Sequence, residues 1–155
     1  REDAELLVLG SFPGQASLAA RQYYAHPRNQ FWPLMGDLLG EPDLPHRAYA
    51  ARLQYLIERR IALWDVVDRC VRPGSLDAAI RGAHPSALPE LVARLPRLRA
   101  IGCNGAMAFK QAKASLPGTP WPLQALPSSS PALASLRFEA KRAAWAVALA
   151  SYLRA

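Results

Sequence analysis

Four short apolar runs most constrain what this chain can fold into: ELLVLG at 5–10, IALWDVV at 61–67, LRAIGC at 98–103 and WPLQAL at 121–126. They are apolar without strict alternation, which is how strands buried on both faces read. The intervals carry helical spacing instead. YAARLQYLIERR at 49–60 and ALASLRFEAKRAAWAVALASYLR at 132–154 repeat their large apolar residues every three or four positions and are predicted as amphipathic helices. Strands that alternate with helices are joined by crossovers and pair in parallel. The predicted fold is therefore α/β, a three-layer α/β/α sandwich around a central, mostly parallel four-stranded sheet. The 155 residues suit one domain over 1–155, punctuated by turns such as RPGS and LPGTP, with no internal repeat or low-complexity linker. Ligands of such sheets bind beyond the carboxyl ends of the strands. That rule selects GSFPG, WDVVDR, CNGAM and LPSSSP.

Composition narrows the partner. No apolar run approaches the roughly 20 residues that span a bilayer, so no membrane association is expected. Cys70 and Cys103 are the only cysteines, far apart in the chain. They form no disulfide framework, zinc knuckle or iron–sulfur pattern, and no metal or cofactor is expected. Such cysteine usage suits a reducing cytoplasm, nucleoid-associated in a prokaryote, as the expected setting, and no charged-then-apolar leader is visible before ELLVLG. A monomer is expected. The net charge of +7 points to a polyanion. Between Glu90 and Glu139 there is no acidic residue, while Arg94, Arg97, Arg99, Lys110, Lys113 and Arg137 are basic. A one-signed segment of this kind is the expected footprint of a phosphate-backbone binder.

The motifs carry more than one reading. Gly10 and Gly14 bracket GSFPG and permit a sharp turn or close approach to a ligand, yet strand-to-helix turns use glycine routinely. The loop lacks the lysine of a P-loop and the spacing of a dinucleotide fingerprint. In YYAHPRNQFW, Pro27 restrains His26 to extended backbone. Asn29 either caps a helix starting at Gln30 or, if the helix starts at Pro33, stands outside it with a free amide. Such an amide can hold a water through its oxygen and a base edge through its amino group. In LPSSSP, Ser130 is a plausible N-cap with Pro131 in the first helical position, and free N–H groups there, with the Ser128 and Ser129 hydroxyls, would suit a phosphate. Asn104 is predicted to cap the helix of AMAFKQAKA. Asp65 and Asp68 end the second strand as secondary candidates, although Asp68 beside Arg69 also reads as an ion pair. No Ser-His-Asp or Cys-His arrangement is suggested, which disfavours a covalent nucleophile.

With GSFPG, YYAHPRNQFW, LWDVVDRC and LPSSSP in this order, the chain resembles the uracil-DNA glycosylase superfamily over nearly its whole length. It is most similar to the hypoxanthine-DNA (deoxyinosine) glycosylase branch, and next to the mismatch-specific uracil glycosylases. The mismatch branch holds its hydrolytic water with an asparagine where Phe12 stands here. The hypoxanthine branch implies that Asn29 takes over that role. The resemblance further implies that Tyr24 stacks on the extruded base, with Phe12 on its other side, and that Gly10, Ser11 and His26 line the base site. The loop of Pro127, Ser128, Ser129, Ser130 and Pro131 is implied to press on damaged DNA, the expected partner. Branches with an iron–sulfur cluster need four cysteines, and two cannot hold it. The expected function is a monofunctional DNA glycosylase that removes hypoxanthine or uracil from DNA and so initiates base excision repair. The alternative is a non-catalytic nucleic-acid binder on the same fold, kept open by Phe12.

Overall fold

The computed structural model describes residues 2–11, 15–65, 67–71, 81–85, 87–131, 133 and 135–153. Its main sheet contains β1 (Leu6–Gly10), β2 (Ile61–Asp65), β5 (Ala100–Asn104) and β6 (Leu123–Leu126), all parallel, in the order β2-β1-β5-β6. The chain passes from β1 to one neighbour and later returns to the other side of β1. The strand order thus reverses between β1 and β5, the crevice where ligands of open α/β sheets bind.

Alternation along the strands separates two cores. Leu7, Leu9, Ile101 and Cys103 pack with Leu88 and Val92 of α4 (Leu88–Ala93) and Ala108 and Ala112 of α5 (Ala106–Ser115). On the opposite face Leu6, Val8 and Ala100 meet Phe31, Leu34 and Met35 of α2 (Phe31–Leu39), Tyr55 and Leu56 of α3 (Tyr49–Glu58), and Trp145 and Leu149 of α6 (Phe138–Leu149). These are the three layers the apolar runs predict. Both sides of β1 are fully covered, which is why ELLVLG reads as continuous apolar sequence. A short α1 (Gln15–Ala20) precedes the YYAHPRNQFW segment.

Several boundaries depart from the sequence reading. The IALWDVV run divides: β2 ends at Asp65, and β3 (Val67–Val71) pairs antiparallel with β4 (Arg81–Pro85) in a separate two-stranded sheet. The helix expected from residue 132 begins only at Phe138, and the Leu133 N–H is donated to the Ser130 carbonyl (3.1 Å). Among the described residues no helix starts at Pro131; the N-cap residue of α6 is Arg137 rather than Ser130. The basic segment is also not one face. Arg94, Arg97 and Arg99 precede β5 and therefore stand at the amino edge of the sheet, opposite the carboxyl ends of the strands. Arg99 there faces Glu5 at 3.7 Å. A run of one charge sign in sequence wraps around the sheet rather than lining its binding edge. Among the described residues no helix is long and apolar enough to cross a membrane.

Candidate functional site

At the carboxyl edge, register alone brings Gly10 beside Asp65 and Asn104 beside Leu126. Gly10 is required by close approach: a Cβ there would lie 2.6 Å from Asp65 Oδ1 and 3.1 Å from the Tyr24 hydroxyl. Ser11, the next residue, is buried. Phe12, with Pro13 and Gly14, lies outside the described residues, as does the side chain of Asp68.

The YYAHPRNQFW segment owes its shape to local hydrogen bonds. His26 to Asn29 form a β-turn with Pro27 at its second position, closed by the Asn29 N–H on the His26 carbonyl (2.9 Å). The His26 ring folds back on the same loop, its Nδ1 accepting the Arg28 N–H (3.1 Å). Tyr24 adopts left-handed backbone (φ 56°), so the two tyrosines do not alternate as an extended pair would. The Tyr24 ring stacks on Phe31 (centroids 4.0 Å apart, 20° between planes) with its hydroxyl over Gly10. The Tyr23 carbonyl accepts Trp32 Nε1–H and its N–H donates to the Tyr49 hydroxyl. Burial, then the negative charge of Asp65, then Tyr49 push the Tyr23 hydroxyl up to about 12. It therefore remains a proton donor near Asp65 throughout the physiological range.

Asn29 lies just before α2, which starts at Phe31 with Gln30 as its N-cap residue. Neither of the two predicted helix starts is the observed one. Pro33 falls in the first helical turn, where its missing N–H removes no bond. Asn29 Oδ1 accepts the Phe31 N–H (2.9 Å), which serves the helix end, and also the Ser129 hydroxyl (2.9 Å). The amide oxygen thus already has two donors. The remaining hydrogen-bonding capacity of Asn29 is its amino group, which has no partner among the described residues.

Ser129 is the hub of the edge. Only 1% exposed, it donates its N–H to Asn104 Oδ1 and accepts Asn104 Nδ2–H on its hydroxyl, both at 2.9 Å. Its carbonyl accepts the Gln30 N–H at 2.9 Å. Asn104 therefore does not cap α5 as its sequence position suggests. Gly105 (φ 97°) is the N-cap residue, and the Asn104 side chain crosses to the serine loop. The expected phosphate nest is likewise closed, because the Ser130 N–H is taken by the Ser128 hydroxyl (3.1 Å) and the Ser129 hydroxyl by Asn29. From below, α6 fixes the same loop. Trp145 Nε1–H donates to the Pro127 carbonyl (2.8 Å) and Lys141 Nζ to the Ser130 carbonyl (3.3 Å). Lys141 is itself buried, which lowers its affinity for a proton. An apolar groove of about 470 Å³ flanks the loop on the α5 side, lined by Phe109, Leu126, Pro127, Ser128 and Leu133 among others.

The structure brings the Asn29, Ser129 and Asn104 segments together and adds Tyr23, Lys141 and Trp145, which the sequence does not single out. The last two stand one helical turn apart on α6, a spacing visible in the sequence, although nothing in it says that they face a loop. The Cys103 thiol is buried and pushed up to about 12 by that burial, so it supplies no nucleophile. Among the described residues no cluster of three or more metal-ligating side chains occurs.

At the carboxyl edge of the sheet the Asn29–Ser129–Asn104 chain of hydrogen bonds, the Tyr24 ring stacked on Phe31 and the Asp65 carboxylate beside Gly10 come together. Comparison with known proteins gives it a context. The family model described as uracil DNA glycosylase superfamily matches residues 1–154. A hypoxanthine DNA glycosylase of Methanosarcina acetivorans is 39% identical over 129 residues, covering 83% of this chain and 80% of that protein. One from Methanosarcina barkeri is 39% identical over 104 residues, covering 67% and 65%. The solution NMR structure of a candidate uracil DNA glycosylase from Methanosarcina acetivorans superimposes with a TM-score of 0.85 at 34% identity, over 98% of this chain and 92% of that one.

Proposed function

Because the chain belongs to the uracil DNA glycosylase superfamily, we propose that it is a monofunctional DNA glycosylase that flips a deaminated base out of DNA and hydrolyses its N-glycosidic bond. Hypoxanthine is the favoured base and uracil the second, after the names of the relatives. The observation that carries the reading is Asn29, held by the Phe31 N–H and the Ser129 hydroxyl beside the loop that follows β6.

The chemistry sets what the site must do. Extruding a nucleotide costs a few kcal/mol, least at a mispair, and bond breaking then leaves positive charge on the sugar and negative charge on the departing base. Fixed donors stabilise the second charge without reorganising. Asn29 and the backbone amides around Gly10 and Ser11 supply them, and Tyr24, supported on one face by Phe31, offers its ring to the base. Phe12 completes the base site in this reading. His26 holds the turn that carries Asn29, its Nδ1 engaged by Arg28 N–H. Asp65 is the carboxylate at the rim of the site and the second catalytic candidate after Asn29. Asp68 follows it, and Asn104 acts through Ser129 rather than on the base. The loop from Pro127 to Pro131 bears on the DNA strand, and exposed Arg28 and Arg137 reach phosphates. The protein works on damaged DNA as a monomer, in the cytoplasm.

Duplexes carrying deoxyinosine, deoxyuridine or deoxyxanthosine opposite each base, incubated with the protein and then cleaved by alkali at abasic sites, test the reading. Strand scission is expected with deoxyinosine. Tight binding without scission of any duplex identifies a non-catalytic binder instead. A second expectation follows from the glycine turn. Gly10→Ala places a methyl 2.6 Å from Asp65 Oδ1, so the carboxylate and the Tyr24 hydroxyl must move. Displacements near 1 Å cost about 100-fold in rate. Single-turnover kinetics of Gly10→Ala should show a loss of that order with DNA affinity nearly unchanged. A rate equal to wild type would remove Gly10 and its neighbours from the site.

A further inference from the structure

We infer that Asn29 meets the reacting nucleotide with its amino group rather than its carbonyl, and that Ser129, itself oriented by Asn104, is the positioning residue that holds it so. This rests on Asn29 being the site asparagine of the glycosylase proposed above.

The assignment follows from which groups can only donate. A backbone N–H has no acceptor capacity, so the Asn29 atom 2.9 Å from Phe31 N is the amide oxygen. The same argument applies to Asn104: its atom 2.9 Å from Ser129 N is the oxygen, which leaves its amino group 2.9 Å from the Ser129 hydroxyl. That amino group can only donate. The Ser129 oxygen therefore accepts from Asn104, and its single proton is directed at Asn29 Oδ1, 2.9 Å away. Two backbone N–H groups thus fix every proton along Asn104, Ser129 and Asn29, and no flipped arrangement satisfies all of them.

Three consequences follow. Both acceptor positions of Asn29 Oδ1 are filled, so the oxygen is poorly placed to hold a nucleophilic water. The two amino protons, unpartnered among the described residues on a half-buried side chain, face no competing acceptor. Hydrogen bonds in series also polarise one another, so the donors on Oδ1 make the amino protons stronger donors. An amino group serves the acceptor atoms of a departing base as negative charge gathers there, and it cannot accept a proton from water. Asn29 then stabilises the leaving group. Ser129 is 1% and Asn104 6% exposed, so the network is shielded from water that would offer alternative partners.

Asn29→Asp separates the two roles. Aspartate still accepts from Phe31 and Ser129 but has no amino group, whereas its carboxylate would grip a water at least as well as an amide oxygen does. Single-turnover rates on a deoxyinosine duplex, with DNA affinity and thermal unfolding measured alongside, should show Asn29→Asp reduced about 100- to 1,000-fold, as is typical for loss of one transition-state donor. Asn104→Asp tests the relay with little change in packing. Its carboxylate accepts both the N–H and the hydroxyl proton of Ser129, turning that proton away from Asn29. Its maximal rate should fall up to about 100-fold while the half-saturating DNA concentration stays put. Ser129→Ala should behave alike if it folds. An Asn29→Asp protein within a few-fold of wild type overturns the amino-group assignment while leaving the glycosylase reading intact. An Asn104→Asp protein with the wild-type rate overturns the positioning role. Wild-type protein inactive on every deaminated-base duplex removes the glycosylase reading, and this inference with it.

Discussion

Trp145→Ala should lower the unfolding free energy by about 3–5 kcal/mol, the range for truncating a fully buried tryptophan. Trp145 is fully buried in α6, its ring set edge-on to Phe31 at 6.1 Å. The truncation removes that packing and leaves a cavity beneath α2. It also strips the Pro127 carbonyl of its 2.8 Å donor. Against a total stability of roughly 5–15 kcal/mol for a domain, the loss is large. Trp145→Phe distinguishes the two contributions. It keeps an aromatic ring in the core, with a smaller packing loss than alanine, and forfeits the N–H, which adds about 1–3 kcal/mol for a buried unpaired acceptor. Urea unfolding followed by circular dichroism measures both, with a shifted midpoint and constant slope as the sign of a true stability change. A loss under 1 kcal/mol for the alanine variant would mean that α6 does not brace the loop.

The link from Trp145 to Pro127 also shows why the fold was more legible than the site. Burial on both faces of β1 leaves a direct mark on sequence, so ELLVLG identifies a central strand and needs no partner to be named. Periodicity cannot say where a helix yields to tertiary anchoring. The helical spacing extends back to residue 132 in the sequence, yet α6 begins at Phe138, and its Trp145 and Lys141 are spent on anchoring Pro127 and Ser130 of the serine loop. The apolar run at 61–67 likewise continues past the point where pairing switches to the second sheet.

Side-chain roles failed in a consistent direction. Asn104 and Ser130 both occupy positions where local rules predict a helix cap, and the N-cap residues of α5 and α6 are Gly105 and Arg137 instead. Asn104 is bound to a serine 25 residues away, and that serine to an asparagine 100 residues from it. Caps are short-range devices that sequence windows detect, whereas partners brought together by sheet order β2-β1-β5-β6 are not. Charge behaved similarly: Arg94, Arg97 and Arg99 of the one-signed stretch stand at the amino edge of the sheet, away from the strand ends that carry the motifs. The order of four motifs at strand ends was the exception, because topology places consecutive strand ends at one edge whatever lies between them.

Asn29→Ala should reduce the single-turnover rate on a deoxyinosine duplex about 100- to 1,000-fold, the usual consequence of removing one preorganised group that acts on the transition state. The same change has a structural cost to be kept apart from the chemical one. The Phe31 N–H and the Ser129 hydroxyl both lose their acceptor, and two hydrogen bonds at about 0.5–1.5 kcal/mol each suggest a loss of about 1–3 kcal/mol. The α2 start and the serine loop then keep the bond from Gln30 N–H to the Ser129 carbonyl. Rates should therefore be measured well below the unfolding midpoint of the variant, at saturating protein, with unfolding curves recorded on the same preparation. Under those conditions a folded Asn29→Ala protein that retains full activity removes Asn29 from the chemistry. Asp65, beside Gly10 and close enough to raise the Tyr23 hydroxyl, would then be the first group to replace, and Asp68 the second.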